Sequence, residues 1–150
     1  MIKILCKFVQ DEFDLFTSAT GVFTKMNIPK QIQYWIDTAA DDLHTAEVLL
    51  NNKKVLHALF FCHLCIEKAI KAHIVRCTSK TPVRSHNLQY LIGITDITLT
   101  DDEKDFCALL MTYHLEGRYP ENYPDTPSLL NAEEILTKTK SLFQCFRKKL

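Results

Sequence analysis

Glycine is scarce in this sequence, and its scarcity excludes two kinds of nucleotide site. The 150 residues include three glycines, Gly21, Gly93 and Gly117. They are too scattered for a dinucleotide-binding fingerprint or a phosphate-binding loop, since both motifs need glycines a few residues apart. A second absence is that of long apolar runs, because no stretch approaches the ~18 uninterrupted apolar residues of a membrane-spanning helix. The sequence therefore predicts neither a glycine-rich nucleotide motif nor a membrane span.

The chain also has no excess charge of either sign. Eighteen lysines and arginines balance eighteen aspartates and glutamates, so the formal net charge is zero. No overall field therefore favours binding to nucleic acid or to a membrane surface, and a local pocket or a protein partner is favoured over extended nucleic-acid binding. What the chain does have is an apolar fraction of 47%, enough for one sizeable core in a chain of about one domain's length.

Six cysteines raise the question of disulfides, and we expect none to be structural. The N-terminus does not have the pattern of an export signal, because Lys7 interrupts its apolar run and acidic residues follow at once. A reducing cytoplasm is therefore predicted, with most thiols packed as small hydrophobes. Cys62 and Cys65 have CxxC spacing, but they fall in the middle of a predicted helix and no second pair exists. We predict core packing rather than a metal or redox site.

Residues 1–25 do not resemble the rest of the chain. They begin with a weak strand-like alternation and continue into a loop-like segment that ends at Gly21. Met26 then precedes Asn27-Ile28-Pro29, a typical helix entry with proline in the first turn. Our hypothesis is that translation begins at Met26. Residues 1–25 are then an extension of doubtful status, and residues 26–150 are the domain.

The spacing of apolar residues predicts an all-α protein. Steps of three and four place one apolar stripe on a helix over residues 30–50 and another on a helix from about 55 to 75. The second helix is apolar over more of its circumference, so it is predicted to be central and most buried. A short helix is predicted over residues 87–92. With the two helices that follow, the pattern predicts a helix bundle made of four long helices and a short one.

Polar residues predict where the last two long helices start. Thr100 and Glu103 form a capping box that opens a helix ending near Gly117. After a loop that contains three prolines, Asn131 with Glu134 offers a cap for the last helix, which ends in basic residues that favour a helix C-terminus.

Some charged residues on these helices have spacings that would let them form ion pairs or act together in catalysis. Glu67 and Lys71 form an i,i+4 pair of favourable polarity, which is a solvated stabilising pair or, together with Arg118, a buried ion network that fixes the bundle. His114 and Arg118 share a face if their helix extends to Arg118. A histidine could then act as general base on a 2′-hydroxyl, with arginine stabilising the phosphate charge. The alternative is a surface histidine and an arginine that covers helix-end carbonyls. His86 follows the Pro82 loop, where structural anchoring or phosphate contact is expected.

Four short landmarks occur in order between residues 30 and 150. They are Trp35 with Ala39, Asp42-Leu43 and Ala46; Ala58-Leu59-Phe60 with Cys65-Ile66-Glu67-Lys68-Ala69-Ile70-Lys71-Ala72; Pro82 with Ser85-His86-Asn87-Leu88 and Leu91; and Arg118-Tyr119-Pro120. In this order they resemble the opening helix, the central-helix signature, the proline–histidine–leucine segment and the arginine–tyrosine–proline step of the HEPN domain family.

The resemblance implies an all-α fold, a four- to five-helix up-and-down bundle that is commonly a homodimer. Many family members pair with a small nucleotidyltransferase in toxin–antitoxin-like systems, and others bind nucleotides or RNA. Catalytic members are metal-independent ribonucleases in which arginine is followed, after four to six residues, by histidine. This chain departs from that pattern, because no histidine follows Arg118 at that distance, nor Arg76, Arg84 or Arg147.

We therefore predict a cytoplasmic HEPN-like domain that dimerises and binds a nucleotidyltransferase partner, nucleotide or RNA without catalysis of its own. No cofactor and no metal site are expected. The residues predicted to contact ligand or partner are Lys68, Lys71, His86, Arg118 and Tyr119. The residues predicted to have structural roles are Trp35, Asp42 and Glu67. The alternative is a metal-independent ribonuclease that uses Arg118 with His114 or His86.

Overall fold

Five helices and no strand are present in the computed structural model, which describes residues 26–114 and 124–150. The helices are α1 (Ile28–Asn51), α2 (Val55–Thr78), α3 (Leu88–Gly93), α4 (Asp101–Thr112) and α5 (Leu129–Lys148). The predicted all-α fold is confirmed. Residues 1–25, and the predicted landmark at residues 118–120, lie outside the described residues.

Side-chain caps fix the starts of the first and fourth helices, where the sequence predicts a helix entry and a capping box, respectively. Asn27 Oδ1 accepts a hydrogen bond from the Lys30 amide at 3.0 Å at the start of α1. At the start of α4 the Thr100 hydroxyl accepts from the Glu103 amide at 3.2 Å, and the Glu103 carboxylate accepts from the Thr100 amide at 2.8 Å. This reciprocal pair is the predicted capping box.

The predicted start of α5 and the predicted end of α4 are both wrong. The cap of α5 is Ser128 rather than Asn131, because Ser128 has extended backbone and its hydroxyl accepts from the Asn131 amide, which already lies in the first turn. Helix α4 ends at Thr112 rather than near Gly117. The amides of Tyr113 and His114 donate to carbonyls three residues earlier, which tightens and closes the last turn. His114 therefore lies just beyond the helix.

Helix α2 is the central element, as predicted. It packs against each of the other four helices, most extensively against α1. Its side chains are buried around nearly the whole circumference, and Leu59, Ile66 and Ile70 are among the largest that have no solvent contact. A helix that is apolar on all sides is stable only when neighbouring helices surround it. No helix in the described part of the chain is long and apolar enough to cross a membrane.

The C-terminal end of α5 is attached to α2 through His73. Its Nε2 donates to the Phe146 carbonyl oxygen at 3.0 Å, since a carbonyl can only accept. The two rings also meet edge to face, with centroids 5.9 Å apart. Burial lowers the pKa of His73, although the hydrogen bond to the carbonyl opposes that shift. The neutral ring therefore fixes the last turns of α5 against the central helix.

Three of the cysteine thiols in the described part of the chain lie in the core. Cys62 and Cys65 are fully buried on α2, and Cys107 is fully buried on α4. Burial raises the pKa of Cys62 to about 11 and that of Cys107 to about 12, and it raises that of Cys65 well above its usual range. The thiolate is the reactive form, so these are inert packing groups at neutral pH. Within residues 26–114 and 124–150, no group of three or more His, Cys, Asp or Glu side chains is arranged to hold a metal ion.

Candidate functional site

Polar side chains from three segments of the chain lie around the buried carboxylate of Glu67. Glu67 Oε1 accepts a hydrogen bond from Lys71 Nζ at 2.7 Å, and Oε2 accepts from His86 Nδ1 at 2.9 Å. His63 Nε2 lies 3.3 Å from the same Oε2. His114 adjoins the histidines through its ring. We refer to these five residues, His63, Glu67, Lys71, His86 and His114, as the Glu67 cluster.

Helical geometry places three of the five side chains on one face of α2. His63, Glu67 and Lys71 follow one another at intervals of four residues, so they lie along one side of the helix. His86 lies in the segment just before α3, and His114 lies just after the C-terminal end of α4. The cluster therefore forms where two irregular segments meet the central helix.

The charge of Glu67 is strongly stabilised in the folded protein. Its side chain is only 4% exposed. Burial alone raises the pKa of Glu67, but the polar contacts of His63, Lys71 and His86 together outweigh burial and lower it to about 2. Glu67 is therefore ionised at any physiological pH, and the ammonium of Lys71 balances its charge.

Three imidazole rings lie next to one another in this cluster. The rings of His86 and His114 stack with centroids 4.6 Å apart and an interplanar angle of 24°. The rings of His114 and His63 have centroids 4.8 Å apart. The His63 side chain has no solvent contact, whereas that of His86 is 55% exposed. The three rings therefore form a row from the core to the surface.

Two polar side chains in or beside the row have unsatisfied atoms. Neither ring nitrogen of His63 has a partner in hydrogen-bond geometry, and the buried Nε1 of Trp35 also has none. The Trp35 ring lies against the Lys71 ammonium, whose Nζ is 5.5 Å from the ring centroid. A buried polar group without a hydrogen-bond partner costs stability.

The contact with Glu67 fixes the tautomer of His86. A carboxylate only accepts hydrogen bonds, so Nδ1 of His86 carries the hydrogen. In the neutral ring Nε2 is then an acceptor, and in the protonated ring it is a donor. A half-exposed imidazole that a buried carboxylate orients in this way can exchange a proton with a ligand or donate a hydrogen bond to it.

The two lysines predicted to contact ligand are both held in ion pairs. Lys68 Nζ lies 2.6 Å from Asp42 Oδ2, and Lys71 is bound to Glu67. Burial raises the pKa of Asp42, and the Lys68 ammonium partly offsets that effect. The side chains of Lys68 and Lys71 are 26% and 10% exposed. Their ammonium groups therefore already have carboxylate partners within the bundle.

The structure brings together some of the residues predicted for the site. His86 and His114 are in contact, and Glu67 and Lys71 are paired. Trp35 lies against Lys71, and Asp42 is paired with Lys68. Arg118 and Tyr119 lie outside the described residues. His63 is not among the predicted site residues, and its position four residues before Glu67 is the signal that could have identified it.

Comparison with known proteins identifies the class to which this fold belongs. Residues 32–149 match the model of the HEPN domain, and the chain belongs to that family. Its fold is similar to that of a solved protein, TT1696 from Thermus thermophilus. The similarity has a TM-score of 0.68 at 23% sequence identity and covers 80% of this chain and 98% of that one. No curated protein sequence matches the chain.

Proposed function

We propose that this HEPN domain binds the phosphate groups of a nucleotide or of RNA around His86, at the exposed end of the Glu67 cluster. We further propose that it dimerises and acts with a nucleotidyltransferase partner, without catalysis of its own. The observation that supports the binding site is the His86 ring, which is 55% exposed and is held at Nδ1 by a carboxylate that is 4% exposed. An oriented imidazole at a surface is suited to donating a hydrogen bond to a phosphate oxygen.

The other predicted contact residues have distinct roles in this proposal. Arg118 pairs with phosphate oxygens, and Tyr119 stacks on a base. Lys68 and Lys71 act indirectly, because each holds the carboxylate of Asp42 or Glu67 in place. The zero net charge of the chain fits a site that takes one or two phosphate groups rather than a long stretch of nucleic acid.

The His86→Asn variant tests this binding site. We expect it to weaken binding of a mononucleotide or of a short single-stranded RNA by about 10- to 100-fold near pH 6, since a charge-assisted hydrogen bond contributes about 1.5–3 kcal/mol. Isothermal titration calorimetry measures the change. His57→Asn is the matched control, because His57 is exposed on the first turn of α2. Equal affinities of His86→Asn and wild type would contradict the site.

Family membership supports the remaining two parts of the proposal. Sedimentation equilibrium is expected to give the mass of a dimer, and a monomer at all concentrations would contradict dimerisation.

Purification of the tagged chain from its native host is expected to recover a nucleotidyltransferase in stoichiometric amount. Recovery of the chain alone would contradict that partnership.

A metal-independent ribonuclease is the second candidate function, and the contact between His86 and His114 favours it. One imidazole can take the proton of a 2′-hydroxyl while another donates a proton to the leaving oxygen, with Arg118 stabilising the phosphate. We then expect RNA cleavage that resists chelators and leaves 2′,3′-cyclic phosphate ends.

The ribonuclease hypothesis requires that activity depend on this chain's own residues. Cleavage must be lost in Arg118→Ala and in His86→Asn or His114→Asn, as gel analysis of a labelled RNA would show. Cleavage that survives all three changes comes from a contaminating nuclease, and its persistence would reject this candidate.

A further inference from the structure

A groove separates α4 from α5 on the outside of the bundle. Both helices pack against α2, but much less against each other. The space between them has a volume of about 690 Å³. Its lining includes the apolar side chains of Phe106, Leu109 and Leu142, and Leu109 is 40% exposed. We refer to this space as the α4–α5 groove. It leaves apolar surface open between two helices that the bundle itself does not bring together.

The length of the groove matches two turns of a helix. Asp102, Phe106 and Leu109 line it from one side of α4, because they follow one another at steps of four and three residues. At a rise of about 1.5 Å per residue, these positions span about 10 Å. A helix that lies in a groove of this length can insert side chains at positions i, i+3 or i+4, and i+7. The shape of the groove therefore fits the apolar face of an added amphipathic helix.

The two rims of the groove carry opposite charges. Asp102 and Asp105 are exposed on the α4 rim, and Lys138 is exposed on the α5 rim. Lys104, which lies between the two aspartates in the sequence, is bound to Asp101 at 2.8 Å. The whole chain has zero formal net charge, so this negative rim is a local feature. Complementary charges across an interface select the partner and its orientation. A helix with basic residues on the side that faces α4 is therefore the complementary occupant.

We propose that the α4–α5 groove binds an amphipathic helix of a separate protein, whose apolar side chains enter the groove and whose basic side chains face Asp102 and Asp105. This inference rests on the proposed function in one respect, since it gives the partnership with another protein a surface and a chemistry. None of the residues that line the groove belongs to the Glu67 cluster. Docking of the partner and binding of phosphate can therefore be measured separately.

Three synthetic peptides of about 14 residues test the groove, a length at which an isolated helix is marginal and binding can complete it. The first is a fluorescein-labelled leucine–lysine peptide whose leucines have helical spacing. The second has glutamate in place of every lysine. The third has the composition of the first in an order that forms no apolar face. Fluorescence anisotropy measures the affinity of the full chain for each peptide. We expect the first to bind at least about tenfold more tightly than either of the others.

Neutralising the negative rim tests the role of charge. The double variant Asp102→Asn with Asp105→Asn is expected to weaken binding of the leucine–lysine peptide by about tenfold. Glu103 is left unchanged because its carboxylate closes the capping box of α4. The matched control is Asp37→Asn with Asp41→Asn, since both residues are exposed on α1 and the change in net charge is the same. This control is expected to bind as the wild type does.

Shortening an apolar lining residue tests the role of the groove itself. Leu109→Ser is expected to weaken binding of the leucine–lysine peptide by about fivefold or more, because it removes apolar surface that the peptide would cover. Val48→Ser is the control, since Val48 is 45% exposed on α1. Circular dichroism verifies that each variant is folded.

Four results with the peptides would overturn the inference. They are no binding of the leucine–lysine peptide, equal binding of the reordered peptide, equal weakening by the two double variants, and unchanged binding in Leu109→Ser. The second and third of these would assign the attraction to general charge. Dissociation of the wild-type dimer in Leu109→Ser, seen by sedimentation equilibrium, would assign the groove to a second copy of this chain and would also overturn it.

Purification from the native host separates failure of this inference from failure of the proposed function. If the wild-type chain recovers a nucleotidyltransferase, we expect Leu109→Ser and the Asp102 and Asp105 double variant to recover much less of it. Equal recovery by these variants would overturn the groove as the docking surface and leave the partnership intact. If the wild type recovers none while the peptide results hold, the partnership with a nucleotidyltransferase fails and the groove stands as a docking surface for another basic helix.

Discussion

Glu67→Gln is expected to lower the free energy of unfolding by about 3–5 kcal/mol at neutral pH. The substitution keeps the shape of the side chain and removes its charge. The Lys71 ammonium, whose side chain is 10% exposed, is then left without its anion. An uncompensated buried charge is among the most costly changes that a single substitution produces. Urea denaturation of the wild type and the variant measures the difference.

Glu47→Gln provides a control with the same chemistry at the surface. Glu47 pairs with Lys140 at 2.7 Å, but its side chain is 36% exposed. An ion pair of this kind contributes below about 1 kcal/mol, so the control is expected to stay close to wild type. Loss of the same small amount in both variants would show that the Glu67–Lys71 pair does not stabilise the bundle.

The loss of unfolding free energy in Glu67→Gln is expected to become smaller as pH falls. The pKa of Glu67 is about 2 in the folded chain, against an ordinary value of 4.5. Because the folded pKa is lowered, the stabilisation is complete above the ordinary value and is lost as pH falls toward the folded one. The difference in unfolding free energy between wild type and variant should therefore shrink below about pH 4.5. A difference that stays constant down to pH 2 would contradict this assignment.

Phe146→Ala is expected to cost about 3–5 kcal/mol of unfolding free energy. The Phe146 ring has no solvent contact, and it packs edge to face on His73 of the central helix. Truncation removes buried apolar surface and leaves a cavity where α5 meets α2. The hydrogen bond from His73 is made to the main-chain carbonyl, so it persists in the variant. Thermal and urea denaturation measure the loss.

Leu130→Ala is the matched control on the same helix. Leu130 is 65% exposed, so its truncation is expected to change stability by no more than about 0.5 kcal/mol. If Phe146→Ala were as mild as Leu130→Ala, the C-terminal end of α5 would not be part of the cooperative core.

Local patterns in the sequence predict most of the helices and part of the site. The period of apolar residues identifies α2 as central, and the capping box of Thr100 and Glu103 depends on residues three positions apart. The spacing of Glu67 and Lys71 likewise predicts a contact between them. Each of these features is decided within one or two turns of helix, so a single sequence is enough to reveal it.

Features decided by packing between segments could not be predicted in this way. The pairing of Lys68 with Asp42 joins two helices, and without it Lys68 is interpreted as a ligand contact. The stack of His86 on His114 depends on where α4 ends. Periodicity does not mark that end, because backbone hydrogen bonds close the last turn. His63 is not among the predicted site residues, because its neighbours in the sequence of α2 are apolar.

The buried thiols make the opening of the bundle measurable by chemical modification of the natural sequence. Cys62 and Cys65 on α2 and Cys107 on α4 have no solvent contact. An alkylating reagent can react with them only after the helices separate, because the reaction needs both access and the thiolate. When reclosing is fast, the rate of alkylation follows the equilibrium population of open molecules; when the reagent is faster, it follows the rate of opening. Since these three buried cysteines lie on two helices, comparing their rates of alkylation shows whether α4 detaches before the central helix is exposed.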